Sequence, residues 1–289
     1  MARIIWQILV LAGLLGSVGA APRPIPDETI AYVASGELRL TTPDGAASRA
    51  LASGYEYDDP AWNSTRTEIT VERGTHDGPH ELVILNRHGN VVRRLRDSSE
   101  AFRPAWDRAG RIYAITYGKP PHVLRWSGNQ RQVLRIVGVV SQPQYLSFSP
   151  IGRLAILDDF AGVVVAHVAG DSIVVDQRLD LRASYIAQTA WLDDTRLVFV
   201  RRKAAGQPSD LAVVNTQTGE ISAIATTGIY LRDFVSLSPD RKHAVVCAAP
   251  SSGETRWSLW VVSLAGTSSP KRITSGLEDV APSWRGAPN

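Results

Sequence analysis

A chain of 289 residues, 44% hydrophobic and 20% charged, can bury about 75% of its unfolded surface, which excludes wholesale disorder and removes any need for a stapling disulfide or metal. Its single cysteine, Cys247, excludes an intramolecular disulfide framework and a Cys-rich zinc site. The 31 Lys and Arg against 28 Asp and Glu leave a net charge of +3, too little by itself to specify nucleic acid as a partner.

The chain opens with a short positive start, Met1-Ala2-Arg3. An apolar run from Ile4 to Leu15 follows, interrupted only by Gln7, and then the small-x-small triplet Val18-Gly19-Ala20. Residues 1–20 are therefore expected to be a signal peptide cleaved near Ala20. An uncleaved membrane anchor over Ile4 to Ala21 is the alternative. The lack of a cysteine near the cleavage point argues against a lipoprotein. Pro22, Pro24 and Pro26 make residues 21–27 a stiff extended leader. No second long apolar run follows, so no membrane span is expected after cleavage.

From residue 28 the chain reads as a repeat array. Thr29 to Val33, Glu37 to Leu40 and Arg49 to Leu51 match a second, third and fourth strand without a first. The next unit is complete. Residues 60–63 form the first strand, Ser64 to Arg66 a turn and Glu68 to Glu72 the second strand. Leu82 to Leu85, the turn Arg87 to Asn90 and Val91 to Leu95 complete it. A large apolar anchor recurs at Trp62, Trp106, Phe148, Trp191, Leu237 and Trp284, with gaps of 44, 42, 43, 46 and 47 residues. Gly45, Gly89, Gly128, Gly170, Gly219 and Gly266 keep the same period at turn-like positions. Four short strands in about 42–47 residues make one propeller blade. The expected fold is all-β: a six-bladed β-propeller with four-stranded antiparallel blades over residues 28–289. The strand at Pro282-Ser283-Trp284 is expected to join the N-terminal three and close the ring.

The phrases Asp58-Asp59-Pro60-Ala61-Trp62, Pro104-Ala105-Trp106 and Asp279-Val280-Ala281-Pro282-Ser283-Trp284, with the Ser238-Pro239-Asp240 turn, resemble the six-bladed propeller of the TolB family, the periplasmic component of the Tol-Pal envelope system. The resemblance covers roughly residues 28–289. It implies a stand-alone propeller, because TolB proteins carry an additional α/β domain before theirs. It departs from the turn consensus at Trp106-Asp107-Arg108-Ala109 and Trp191-Leu192-Asp193-Asp194.

Motifs that carry chemistry are few. No Gly-x-Ser-x-Gly elbow occurs, so a serine hydrolase has no nucleophile. Arg73 to Glu81 holds the only histidine cluster, with His76, Asp77 and His80. The intervening Gly78-Pro79 points to a polar surface loop rather than a metal-binding helix. The remaining histidines, His88, His122, His167 and His243, follow no common repeat register. Neither a metal nor a cofactor is expected.

Asp58, Asp59, Glu278 and Asp279 precede first strands, with Arg103, Gln144, Gln188, Arg232 and Asp233 at comparable places. These nine residues are expected on loops entering the central channel. There they would form either a rim for docking an extended peptide or protein loop, or bonds that hold blades together. The basic groups at Arg93-Arg94, Arg201-Arg202-Lys203, Arg241-Lys242 and Lys271-Arg272 are expected mostly on outer strands or turns, where they deter aggregation. The first-strand tryptophans are expected in the core, Trp126 and Trp257 outside it, and Cys247 as a buried inert thiol. Asn63-Ser64-Thr65 matches a glycosylation acceptor, discounted because the resemblance points to bacteria.

The expected function is an exported, non-enzymatic, protein-binding scaffold of the bacterial cell envelope, periplasmic or secreted and monomeric, with no nucleic acid as partner. The resemblance implies a protein or peptide partner, with a peptidoglycan-associated lipoprotein as the candidate. One alternative is a carbohydrate-active or metal-dependent enzyme with its site at the channel mouth, such as a pectin-fragment lyase-like protein. A further alternative is a structural domain that pairs with its own copies.

Overall fold

The computed structural model describes residues 29–285, apart from 76, 77, 97, 99, 117, 160, 161, 206 and 252. The signal peptide and leader expectations lie outside the described residues. In chain order the strands are β1 (Ile30–Ala34), β2 (Glu37–Thr41), β3 (Ser48–Ala52), β4 (Glu56–Trp62), β5 (Glu68–Gly74), β6 (Glu81–Asn86), β7 (Val91–Arg94) and β8 (Ala101–Trp106). Then come β9 (Ile112–Thr116), β10 (Val123–Ser127), β11 (Gln130–Val137), β12 (Pro143–Phe148), β13 (Leu154–Asp158), β14 (Gly162–Ala169), β15 (Ser172–Leu179) and β16 (Tyr185–Trp191). Last are β17 (Arg196–Arg202), β18 (Asp210–Asn215), β19 (Ile221–Ile224), β20 (Tyr230–Leu237), β21 (His243–Ala249), β22 (Ser258–Ser263), β23 (Lys271–Arg272) and β24 (Asp279–Trp284). No helix occurs among the described residues.

The strands form four four-stranded sheets and one eight-stranded sheet. The C-terminal strand closes the first sheet, in the order β24-β1-β2-β3, with Ile30 opposite Trp284 and Arg285 N donating to Thr29 O. The expectation of six separate sheets needs correcting in one place. β11 and β15 are both eight residues long, and Arg135 to Val137 run parallel to Ser172 to Val174. Two antiparallel halves, β8 to β11 and β12 to β15, are thereby joined edge to edge, which satisfies backbone groups that would otherwise face water.

The core lies between successive four-strand units, as distinct apolar clusters around a ring. Ile69 and Val71 of β5 pack with Val33 and Leu38, and Leu197 and Phe199 of β17 pack with Leu157 and Val163. Second strands touch neighbours on both faces. They read as unbroken apolar runs such as Leu154-Ala155-Ile156-Leu157 rather than as alternation. Each buried Leu, Ile, Val or Phe contributes about 1.5–3 kcal/mol. The first strands β4, β8, β12, β16, β20 and β24 each contact the next around the axis. Tryptophans staple that ring: Trp106 Nε1 donates to Ala61 O, and Trp191 Nε1 donates to Ser147 O.

The departures from the turn consensus turn out to be alternative caps. In β4–β5, Asn63 Oδ1 accepts from the backbone N–H groups of Thr67 and Glu68. Asp107, Ser149, Asp193 and Ser238 do the same in their own turns, accepting from Arg111 N, Arg153 N, Thr195 N and His243 N. Any short side chain with an oxygen acceptor serves there. Asn63 is buried and committed to this turn. All six turn glycines have φ between 58° and 84°. Gly45 and Gly89 also abut the neighbouring unit, at Ile273 O and Leu51 O.

One expectation fails. Trp126 is only 1% exposed, because its Nε1 reaches Arg96 O and its ring fills the layer between β6 and β9. Trp257 is half-buried beside the Arg232 guanidinium. Among the basic groups, Arg201 is not at the perimeter: it lies buried in β17, bonded to Asp210 and Leu181 O. Cys247 is fully buried in β21.

Candidate functional site

Five of the first strands are bulged against their second strand, at Asp58/Ala61, Phe102/Ala105, Pro143/Tyr145, Ile186/Thr189 and Leu231/Val235. β24 is irregular in the same place against β1. A bulge leaves an extra residue out of the ladder, bends the strand and re-aims a side chain. It also explains the prolines, since Pro60, Pro104 and Pro282 have no N–H to offer the ladder. The residues before them, Asp59, Arg103 and Ala281, have φ of 45°, 54° and 48°. Left-handed backbone at a non-glycine residue costs on the order of 1–3 kcal/mol.

The bulges place Asp59, Arg103, Tyr145, Gln188, Phe234 and Ala281, each three residues before its anchor, around one central channel of about 220 Å³. Above it lies a mouth of about 310 Å³ lined by Asp58, Arg103, Tyr145, Tyr185, Arg232, Asp233, Phe234 and Glu278 among others. Most of the expected rim residues thus lie inside strands rather than on loops. Asp58 and Asp59 belong to β4, Arg103 to β8, Gln144 to β12, Gln188 to β16, Arg232 and Asp233 to β20, and Asp279 to β24. Only Glu278 precedes its strand.

One half of the mouth is crowded with carboxylates. Asp58 and Glu72 are direct cross-strand partners, a like-charge pairing that is unfavourable. Asp58 Oδ1 accepts from Asp59 N at 2.8 Å. Arg103 Nε stands 3.7 Å from Asp59 Oδ2, and its Nη1 donates to Gln144 Oε1 at 2.7 Å and to Gln144 O at 3.0 Å. The guanidinium also lies 4.1 Å from the centre of the Tyr145 ring. Glu72 is 4% exposed, and its Oε1 lies 2.8 Å from His80 Nδ1.

Burial raises all three acids above their usual range. Asp58 keeps an open side, but protein surrounds the rest of its carboxylate in the concave mouth, and the nearby Arg103 only partly offsets this. For Asp59 the rise is large, with the Asp58 charge adding to burial. For Glu72 burial and the Asp58 charge carry it to about 7.

The other half is paired. Tyr185 OH donates to Asp233 Oδ1 at 2.9 Å, and Arg232 lies 3.9 Å from Asp233 and 3.7 Å from Glu278. Burial, with the Asp233 charge, holds the Tyr185 hydroxyl far above its usual range.

Two expected rim residues have structural work instead. Gln144 is 9% exposed and holds Arg103. Asp279 is 2% exposed, accepts from Gly276 N at 2.8 Å, and meets Cys247 Sγ through its backbone carbonyl. Sequence reading missed Tyr145 and Phe234, which the spacing of three before each anchor marks, and Tyr185. It also missed Glu72, the acid that follows Glu68-Ile69-Thr70-Val71 in the second strand. His76 and Asp77 lie outside the described residues, and His80 turns to Glu72. Among the described residues, no group of three His, Cys, Asp or Glu side chains could hold a metal ion. No described helix is long and apolar enough to cross a membrane.

No family model and no curated protein sequence matches this chain. Solved structures do. TolB from Acinetobacter baumannii superimposes with a TM-score of 0.70 at 17% identity, covering 90% of this chain and 67% of that one. A chain of the nidogen/laminin complex gives 0.65 at 12% identity, covering 89% and 98%. Puromycin hydrolase gives 0.55 at 18% identity, covering 85% of this chain and 42% of its own. Identities this low establish likeness of fold alone. The chain has an all-β, propeller-like fold similar to that of TolB.

Proposed function

We propose that this chain is a six-bladed propeller, exported to the periplasm or beyond, that docks a protein or peptide at its channel mouth and performs no chemistry there. Six first strands directed at one axis, five bulged and the sixth irregular at the same place, carry the reading. They make a concave mouth of charged and aromatic groups on a rigid scaffold, suited to recognition by a rim that does not itself move. The nine residues Asp58, Asp59, Arg103, Gln144, Gln188, Arg232, Asp233, Glu278 and Asp279 divide accordingly. Asp58, Arg232, Asp233 and Glu278 would face the partner. Asp59, Arg103 and Gln188 would line the channel beneath it, and Gln144 and Asp279 would brace the wall. The likeness to TolB and to a chain of the nidogen/laminin complex supports a protein as partner. The peptidoglycan-associated lipoprotein is the first candidate.

The test is capture from the organism's envelope extract with the chain from Ala21 to Asn289 as bait, beside a Glu278→Lys variant. Glu278 is exposed, and its ion pair with Arg232 is long, so reversal of its charge should leave the fold intact. Retention of one protein by the native chain and its loss by the variant are expected. Equal retention by both contradicts a mouth-docked partner.

A further inference from the structure

The outer strands β3, β7, β11, β15, β19 and β23 form the perimeter of the ring, and all but one have their free edge sealed or guarded. β11 and β15 seal one another. β7 carries Arg93 and Arg94, and β23 consists of Lys271 and Arg272. β3 carries Arg49, whose Nη2 donates to Arg87 O, and the turn at Gly89 abuts Leu51 O. Basic side chains on an edge strand repel a second edge. β19, Ile221-Ser222-Ala223-Ile224, ends its sheet with no charged residue.

The backbone phase of β19 follows from its hairpin. Asn215 N donates to Glu220 O, so Glu220, Ser222 and Ile224 turn their backbone groups toward β18, and Ile221 and Ala223 turn theirs outward. No described strand lies beyond them. Ser222 and Ala223 are exposed, and both are small enough to let another backbone approach. Past the strand, the β22–β23 turn lies against Ala225 at Gly266 and closes that end.

We propose that β19 is a self-association edge, at which two copies of this chain pair these strands antiparallel about a two-fold axis through Ser222. In that register Ile221 of each copy stands opposite Ala223 of the other and exchanges N–H···O bonds with it in both directions, so every outward donor of the strand finds an acceptor. Glu220 falls opposite Ile224, and no like charges meet, whereas self-pairing of β7 would set arginines side by side. A foreign strand would need a sequence equally free of bulk and charge, a condition the second copy meets by identity. β11 and β15 show that outer edges of this fold can pair. A pairing this short belongs to the transient class of interfaces, below about 1,200 Å², so the association is weak and concentration-dependent. It makes no demand on the channel mouth.

Sedimentation velocity of the chain from Ala21 to Asn289, from about 1 μM to about 1 mM, should show a reversible monomer–dimer equilibrium with Kd between about 10 μM and about 1 mM. Ala223→Lys gives β19 the guard that β7 carries and should weaken association at least about tenfold. Ala223→Pro removes an outward N–H and no bond to β18, and should do the same. Both should keep the native thermal midpoint within about 3 °C. In the pair the two Ser222 Cα atoms stand about 4.5 Å apart, within disulfide reach. Because Cys247 is buried, Ser222→Cys supplies the one accessible thiol and should give a covalent dimer under mild oxidation. Val92→Cys, at a position 50% exposed on β7, should not. A native chain that stays monomeric at about 1 mM, undiminished association of both Ala223 variants, or cross-linking no faster at position 222 than at position 92 would each overturn the proposal. A discrete adduct of the Ser222→Cys chain with a different protein in envelope extract, in place of the dimer, would assign the edge to a foreign strand and overturn self-pairing.

Discussion

Glu72→Gln should stabilise this protein at alkaline pH and leave it unchanged in acid. Glu72 is nearly inaccessible, faces Asp58 across the β4–β5 ladder, and has its carboxyl raised from the usual 4.5 to about 7 by burial and that neighbouring charge. Between those two values the folded chain holds a proton that the unfolded chain has released. Stability contributed by Glu72 therefore falls as pH rises from 4.5 to about 7 and stays low above it. A rise of this size corresponds to at most about 3 kcal/mol once the window is crossed. A glutamine amide carries no charge, and its Oε1 can still accept from His80. The variant should gain about 2–3 kcal/mol at pH 8, or about 4–10 °C in thermal midpoint for a domain of this size, and nothing near pH 4. Part of the slope should survive in the variant, because Asp58 and Asp59 are raised in the same direction. Thermal unfolding followed by tryptophan fluorescence from pH 4 to pH 8 measures the difference. Parallel profiles for native and variant chains, offset or not, would refute the reasoning.

Other perturbations separate structure from recognition. Gly89→Ala should cost about 2–4 kcal/mol, because φ is 84° and a Cβ would stand 2.0 Å from Leu51 O. Gly219→Ala, with φ of 72° and open space around it, should cost only about 1 kcal/mol in the same urea titration. Asp279→Ala removes the acceptor of Gly276 N from a buried site and should lower the thermal midpoint by several degrees, about 1–3 kcal/mol, with partner capture unchanged below that midpoint. Cys247, whose thiol burial pushes up to about 12, should resist Ellman's reagent in the folded protein and react fully in denaturant.

The propeller was legible because its signals are local and repeated. The Pro-Ala-Trp phrases, the anchors and the six glycines mark inner strands and outer hairpins in each unit, and the last strand does complete the first sheet. The union of β11 with β15 was not legible. Pairing of two outer edges depends on how far each strand runs and how two units lean together, which no single unit encodes. The site was half legible. Asp58, Asp59 and Arg103 stood out as polar residues ahead of an anchor, but they sit on strand bulges, where one inserted residue changes which side chain faces the channel. Counting three residues back from each anchor picks out the channel ring, including Tyr145 and Phe234, which composition alone marks as core. Glu72 was hidden because Glu68-Ile69-Thr70-Val71-Glu72 alternates polar and apolar, a pattern that reads as a polar residue on a solvated face. Its acid becomes informative only when Asp58 is known to lie opposite.

The central claim, that a partner docks at the channel mouth, is tested most directly by site-specific photo-cross-linking. A benzophenone amino acid would be placed at Leu277, which is 66% exposed beside Glu278, and in a second chain at Val92, which is 50% exposed on the outer strand β7. Irradiation in envelope extract should yield one discrete protein adduct from position 277 and none from position 92. An adduct from position 92 alone would place the partner on the perimeter and contradict the account.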